Sequence, residues 1–163
     1  MFAGFYRKAL RFRLPRLQRT SLVRGSVTRI LIAEDRESMR TALKAIFVMR
    51  PSWVVCGEAQ DAKEAVAKAM ELRPDLIVMD FKMHHSDGLT AASDILRLMP
   101  SIPIVMFTLY KTDELEAAAK MVGVRCVVGK EDGVRTLLRA IDAELQLQNR
   151  QPRPDRMESA DSA

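Results

Sequence analysis

The sequence predicts an α/β fold, a doubly wound five-stranded parallel sheet with five helices in a single domain. Short apolar stretches alternate five times with stretches that carry the apolar stripe of a helix. Such strict alternation is typical of parallel sheets whose two faces are covered by helices through right-handed crossovers. The 163 residues are enough for one domain with a real core and too few for two ordinary domains.

The five predicted strands are short, apolar and rich in β-branched residues. In chain order they are "VTRILIAED" (27–35), "SWVVCGEAQ" (52–60), "DLIVMD" (75–80), "IPIVMFTLY" (102–110) and "VRCVVGK" (124–130). Continuous apolar strands are those that helices cover on both sides, so we expect these strands to form the centre of the domain.

Each predicted strand is followed by a predicted helix. The helices cover 36–50, 61–73, 88–100, 112–123 and 133–148. The first carries apolar residues at the i, i+4, i+7 and i+8 positions Met39, Leu43, Ile46 and Phe47. Asp61 with Glu64 three residues later forms a capping-box pattern, and Gly123 is expected to end the fourth helix.

Charge divides the chain into three parts. Residues 1–26 contain seven of the 26 Lys and Arg residues and no acid, which leaves 19 basic against 21 acidic residues, a net charge of −2, in the remainder. We expect a basic, disordered leader over 1–26, although its composition would also suit a membrane-surface helix, a transit peptide or a nucleic-acid arm. The domain is expected over 27–148, and 149–163 is expected to be a disordered polar tail.

Composition also bounds the class of function. No apolar run approaches the roughly 18 residues of a membrane span, and a slightly acidic body does not suggest nucleic-acid binding by the domain itself. Cys56 and Cys126 lie in short apolar runs, which indicates buried thiols in a reducing cytoplasm and not a disulfide framework.

Polar side chains follow four of the predicted strands, where sheets of this kind bind their ligands. They are Glu34 and Asp35 after the first strand, Asp80 after the third, Thr108 after the fourth and Lys130 after the fifth. A lone acid after a strand is usually a cap or turn residue, but clustered carboxylates need a neutralising cation, and hard oxygen ligands suit Mg²⁺. A hydroxyl and an ammonium opposite the acids suit phosphoryl oxygens.

Residues 28–144 resemble the receiver domain of bacterial two-component response regulators. The matching features are "AED" after the first strand, "PDLIVMD" followed by Met83 and "DG", and the intervals of 28 residues from Asp80 to Thr108 and 50 to Lys130. These intervals, with "GEAQDAKEAV" and "LLRAI", are similar to the subgroup usually found before helix-turn-helix output domains. The resemblance implies a flavodoxin-like fold.

The resemblance also implies a role for each of the polar residues that follow the strands. Asp80 would accept a phosphoryl group from a kinase histidine, and Thr108 and Lys130 would bind the phosphoryl oxygens. Glu34, Asp35, Asp80 and the main-chain carbonyl of Lys82 would hold Mg²⁺.

Several residues depart from the family pattern. Among them, His84 replaces the proline expected after Met83 and is followed by His85, and Val127 replaces an aromatic residue. Two adjacent histidines could bind a transition metal, although neighbours in a loop more often face solvent. Val127 removes the ring that usually couples to the hydroxyl of Thr108.

We therefore expect a stand-alone receiver, because only about fifteen residues follow the last helix, well below a typical output domain. Its partners would be a histidine kinase or histidine phosphotransfer protein and an unknown downstream protein. It would be a phosphoryl acceptor and not an enzyme. The alternatives are a receiver-like adaptor that is not phosphorylated, and a small phosphotransferase or phosphatase, which lacks support because no further acid/base group or substrate-capping insert is present.

Overall fold

A computed structural model of the chain describes residues 27–84 and 86–150. Within them, five parallel strands form one sheet: β1 Thr28–Ala33, β2 Trp53–Ala59, β3 Leu76–Met79, β4 Ile104–Thr108 and β5 Cys126–Gly129. Their order across the sheet is β2-β1-β3-β4-β5. This is the doubly wound, flavodoxin-like order, so the predicted fold class is confirmed.

Five α-helices connect and follow the strands in the described part of the chain. They are α1 Glu37–Phe47, α2 Ala62–Leu72, α3 Gly88–Leu98, α4 Asp113–Val122 and α5 Val134–Arg150. A two-residue antiparallel ribbon, Lys82–Met83 with Ser86–Asp87, lies between β3 and α3. A 3₁₀ turn, Lys130–Asp132, lies between β5 and α5.

The core has two layers because successive strand side chains point to opposite faces of the sheet. Ile30 and Ile32 of β1 lie in the layer covered by α1 and α5, whereas Leu31 and Ala33 lie in the layer covered by α2, α3 and α4. All four side chains are almost fully buried. Full burial of one large apolar side chain stabilises the fold by about 1.5–3 kcal/mol, so both layers contribute.

Side chains cap three of the helices at their first turn. Asp61 accepts a hydrogen bond from the N–H of Glu64 at 2.8 Å, as predicted, but the Glu64 carboxylate accepts from the N–H of Gln60 and not from that of Asp61. Asp87 and Thr112 cap α3 and α4. These caps fix where each helix begins and therefore how the loops above the strands run.

The ends of the elements differ little from those predicted. Gly123 ends α4 with a φ of 102°, a left-handed conformation that favours glycine. Helix α5, predicted to end at Gln148, continues to Arg150, the last residue that the structure describes. Among the described helices, none is both long and apolar enough to cross a bilayer.

Candidate functional site

The winding of the chain reverses between β1 and β3, which places a crevice at the carboxyl ends of these strands. Ala33 pairs with Met79, and the N–H of Asp80 donates to the carbonyl of Ala33 at 2.8 Å. Glu34 and Asp80 therefore emerge side by side from the sheet. The predicted site lies at the reversal point.

Lys130 connects the two buried acids. Its ammonium lies 2.5 Å from Glu34 Oε2 and 2.5 Å from Asp80 Oδ2, and the side chains of Lys130 and Glu34 are only 3% and 2% exposed. Burial raises the pKa of the Glu34 carboxyl, and the hydrogen bond and charge of Lys130 oppose that rise. The positive charge of Lys130 therefore offsets the repulsion between the Glu34 and Asp80 carboxylates, which lie close together and away from solvent.

Thr108 and Lys82 lie at the other edges of the crevice. Thr108 is the last residue of β4, pairs with Gly129 of β5, and is fully buried. Its hydroxyl oxygen accepts a hydrogen bond from the N–H of Tyr110 at 3.2 Å. The N–H of Lys82 donates to Asp80 Oδ1 at 3.3 Å, and the Lys82 ammonium lies 5.5 Å from the centre of the Tyr110 ring.

Three carboxylates form a group that could hold a metal ion. One oxygen from each of Glu34, Asp35 and Asp80 lies within 4.8 Å of the others. Carboxylate oxygens are the donors that Mg²⁺ prefers, so the residues present fit the predicted ion. The structure thus brings together Glu34, Asp35, Asp80 and Lys130, and it places Thr108 and Lys82 on the neighbouring segments.

Arg40 is a functional candidate that the sequence did not reveal. From α1, its guanidinium donates to the main-chain carbonyl of Glu34 at 2.8 Å and to that of Asp35 at 2.9 Å. The same side chain lies 3.6 Å from the Glu58 carboxylate and is almost fully buried. By binding the backbone of both acids, Arg40 fixes the loop that presents their carboxylates.

His84 also contacts the site, although it is not among the predicted site residues. Its Nδ1 lies 2.9 Å from Asp35 Oδ2. Its neighbour His85 lies outside the described residues. The sequence signal was the departure from the expected proline, but periodicity does not indicate where a loop side chain points.

Known proteins resemble this chain over most of the domain. The sequence model of the response regulator receiver domain matches residues 30–142. A LuxR-family response regulator from Aurantimonas sp. SI85-9A1 superposes with a TM-score of 0.71 at 29% identity, over 74% of this chain and 86% of that one. The response regulator domain of Thermotoga maritima CheB gives a TM-score of 0.64 at 29% identity, over 76% of this chain and 95% of that one.

Curated relatives are similar over a shorter segment. The transcriptional regulatory protein LiaR of Bacillus subtilis is 42% identical over 67 residues, which are 41% of this chain and 32% of LiaR. A protein-glutamate methylesterase/protein-glutamine glutaminase of Thermotoga maritima is 43% identical over 70 residues, which are 43% of this chain and 20% of that protein. The matched segment is thus a fifth to a third of the length of these relatives.

The family match covers more than half of the chain, and the LuxR-family response regulator and the transcriptional regulatory protein LiaR agree with the predicted similarity to receivers that precede helix-turn-helix domains. The order of the strands and the acids at their carboxyl ends also agree with a receiver domain. The chain belongs to the response regulator receiver domain family.

Proposed function

We propose that this chain is a receiver that accepts a phosphoryl group on Asp80 from a histidine kinase or a histidine phosphotransfer protein. The observation that carries the proposal is the position of the Asp80 carboxylate. It lies at the reversal point of the sheet, 2.5 Å from the Lys130 ammonium and grouped with Glu34 and Asp35. A carboxylate in that position is placed to act as a nucleophile.

The transfer needs no additional acid or base from this chain. An oxygen of Asp80 would attack the phosphorus of a phosphohistidine, so that a P–O bond forms while the P–N bond breaks. The imidazole nitrogen keeps the electron pair of the broken bond. The product is an acyl phosphate, which water can hydrolyse, so the signal is transient.

Charge at the site decides whether the attack is possible, because both reactants are anionic. Mg²⁺, held by Glu34, Asp35, Asp80 and the main-chain carbonyl of Lys82, would supply positive charge that offsets this repulsion. Lys130 would exchange part of its contact with Asp80 for a phosphoryl oxygen, and the Thr108 hydroxyl would donate to another.

The added charge would also change how the protein meets its partner. A phosphoryl group brings about −1.5 to −2 charge to one point of the sheet edge. Movement of Thr108 and Lys130 toward it would bias the surface around β4 and β5 between two states. An unknown downstream protein in the cytoplasm would distinguish those states.

Incubation with acetyl phosphate and Mg²⁺, followed by intact mass measurement, tests the proposal. We expect a gain of one phosphoryl group that is lost in Asp80→Asn, because the amide keeps the shape and lacks the nucleophile. Asp75→Asn is the matched control, since Asp75 is a buried acid at the opposite end of β3 whose carboxylate accepts from the N–H of Arg29. That variant should be labelled like the parent.

Absence of any mass gain in the parent would favour the adaptor, and continuous turnover of acetyl phosphate would favour a phosphatase.

A further inference from the structure

Both carboxylate oxygens of Glu34 face a positively charged side chain. Oε2 lies 2.5 Å from the Lys130 ammonium, and Oε1 lies 3.7 Å from Nε of Arg36. The main-chain N–H of Arg36 also donates to Oε1, at 3.2 Å. A divalent ion that used an oxygen of Glu34 would bring a third cation against the same carboxylate, and the repulsion favours withdrawal of one of the two side chains.

The two side chains differ in how firmly they are held. Lys130 is only 3% exposed and also contacts Asp80 at 2.5 Å, so its withdrawal would leave two buried acids unpaired. The Arg36 side chain is 49% exposed, and its separation from Oε1 exceeds the length of a normal hydrogen bond. Exposed ion pairs of this kind are weak. Arg36 is therefore the cation that an incoming ion would displace.

Withdrawal of the guanidinium would leave the carboxylate in position. The main-chain N–H of Arg36 still donates to Glu34 Oε1, and Arg40 holds the main-chain carbonyls of Glu34 and Asp35 at 2.8 and 2.9 Å. Arg36 directly precedes helix α1, and its carbonyl accepts from the N–H of Arg40 at 3.0 Å. The backbone at Arg36 is thus anchored, and its side chain is the part that can move.

We propose that Arg36 is an exchangeable counter-ion of the cation site. Its guanidinium balances the charge of Glu34 until a divalent ion binds, and the ion then displaces it toward solvent. The inference rests on the proposed function, since it concerns the site of Glu34, Asp35 and Asp80. Because Mg²⁺ must replace a resident positive charge, Arg36 lowers the affinity of the site and raises the Mg²⁺ concentration at which it fills.

Calorimetric titration of the full chain with Mg²⁺ tests the proposal. Arg36→Gln should bind Mg²⁺ at least about threefold more tightly than the parent, because the amide lacks the competing charge. Arg36→Lys keeps that charge and should stay within about twofold of the parent. Arg97→Gln is the matched control, since it removes an equal charge from the last turn of α3, where Arg97 pairs with Asp94. It should bind Mg²⁺ like the parent.

A gain in affinity separates this role from a structural one, because damage to the fold weakens metal binding. The gain should also shrink at about 1 M KCl, where charges are screened over a few ångströms. Parental or weaker affinity in Arg36→Gln would overturn the proposal. An equal gain in Arg97→Gln would do so as well, since the net charge of the chain would then set the affinity.

Nuclear magnetic resonance of the ¹⁵N-labelled parent follows the displacement itself. The Nε–H signal of Arg36, identified by its loss in Arg36→Gln, should shift along the same Mg²⁺ binding curve as the calorimetric titration. Its hydrogen exchange with water should become faster in the Mg²⁺-bound chain, because the guanidinium has left the carboxylate. Unchanged or slower exchange would mean that the guanidinium stays on Glu34, which contradicts the proposal.

Failure of this inference is distinguishable from failure of the proposed function. Labelling of Asp80 together with parental Mg²⁺ affinity in Arg36→Gln would reject the counter-ion alone. A gain in Mg²⁺ affinity in a chain that takes no phosphoryl group would support the counter-ion and reject the phosphoryl acceptor.

Discussion

The ammonium of Lys130 lies 2.5 Å from the carboxylate of Asp80, and both side chains are buried at the carboxyl ends of their strands. Lys130 contacts Glu34 at the same distance, so one cation is shared by two acids that come from β1 and β3. The positive charge of this lysine offsets the repulsion between the two buried carboxylates. It therefore has a structural role in addition to the proposed contact with the phosphoryl group.

Lys130→Met should lower the free energy of unfolding by about 3 kcal/mol in metal-free buffer, because it leaves two buried acids without a cation. Added Mg²⁺ should restore part of that loss, since the ion supplies the missing charge. Urea unfolding with and without Mg²⁺ measures both effects. Lys111→Met is the control, because Lys111 forms more exposed pairs with Glu116 and Asp132 at 3.4 Å, and its loss should amount to less than about 1 kcal/mol.

Equal destabilisation in the two variants, or a loss that Mg²⁺ does not reduce, would contradict the charge-sharing role of Lys130. Phosphoryl labelling of the same variant separates the two roles. We expect Asp80 to accept some phosphoryl group without Lys130, because the nucleophile remains, whereas binding of the downstream partner should no longer respond to labelling.

Arg40→Met should weaken Mg²⁺ binding at least about tenfold, because the carbonyls of Glu34 and Asp35 lose the guanidinium that fixes their loop. Arg40→Lys should not restore the affinity, since one ammonium cannot reproduce the planar donor group. Calorimetric titration with Mg²⁺ gives the affinities. Lys44→Met is the matched control, because Lys44 also pairs with Glu58, at 2.9 Å, from the same helix. An equal effect in Lys44→Met would show that Arg40 acts only through Glu58.

Gly88→Ala should reduce phosphoryl labelling of Asp80 at least about tenfold, through loss of the attacking geometry. A Cβ at position 88 would lie 2.0 Å from the main-chain oxygen of Asp80, so the backbone of the phosphoryl acceptor must shift. Mass measurement after a fixed time with acetyl phosphate gives the rate. Thr90→Ala, an exposed position in the first turn of α3, should be labelled normally. Normal labelling of Gly88→Ala would show that the loop tolerates the added methyl group.

If Asp80 is the acceptor, the acyl phosphate should be lost slowly, with a lifetime of many minutes or longer, because the side chains of Lys82 and Tyr110 would obstruct the approach of water. The Lys82 ammonium lies 5.5 Å from the centre of the Tyr110 ring, so the two side chains meet between the ribbon after β3 and the end of β4. The double variant Lys82→Asn, Tyr110→Glu should shorten the lifetime several-fold, since a small amide and an acid can orient water. Decay of the mass-labelled form gives the lifetime. A parental rate in a double variant with normal fold and Mg²⁺ affinity would exclude control by these residues.

The fold could be predicted because it depends on periodic patterns. Alternation of strand and helix stretches specified a parallel sheet, and the position of Asp80 directly after "DLIVM" specified the edge where its carboxylate emerges. The same argument placed Glu34, Thr108 and Lys130, since each follows or ends its own strand. Helix ends were less predictable where no glycine or proline was present, and α5 extends past its predicted end at Gln148.

The remaining parts of the site depend on contacts that no periodic pattern in the sequence indicates. Arg40 has the appearance of a solvent-facing charge on an amphipathic helix, and only the fold shows that its guanidinium reaches the backbone of Glu34 and Asp35. His84 lies in a turn, where the direction of a side chain follows from the ribbon geometry and not from neighbouring residues. Both residues act through long-range packing that a single sequence does not record.

The location of the phosphoryl group in the parent protein tests the central claim most directly. After incubation with acetyl phosphate and Mg²⁺, reduction with borohydride converts a phosphorylated aspartate to homoserine, which tandem mass spectrometry of peptides locates. We predict a single modified position, Asp80, in every labelled molecule. Labelling at another residue, such as His84 or Glu34, with Asp80 unmodified would contradict the assignment of Asp80 as the phosphoryl acceptor.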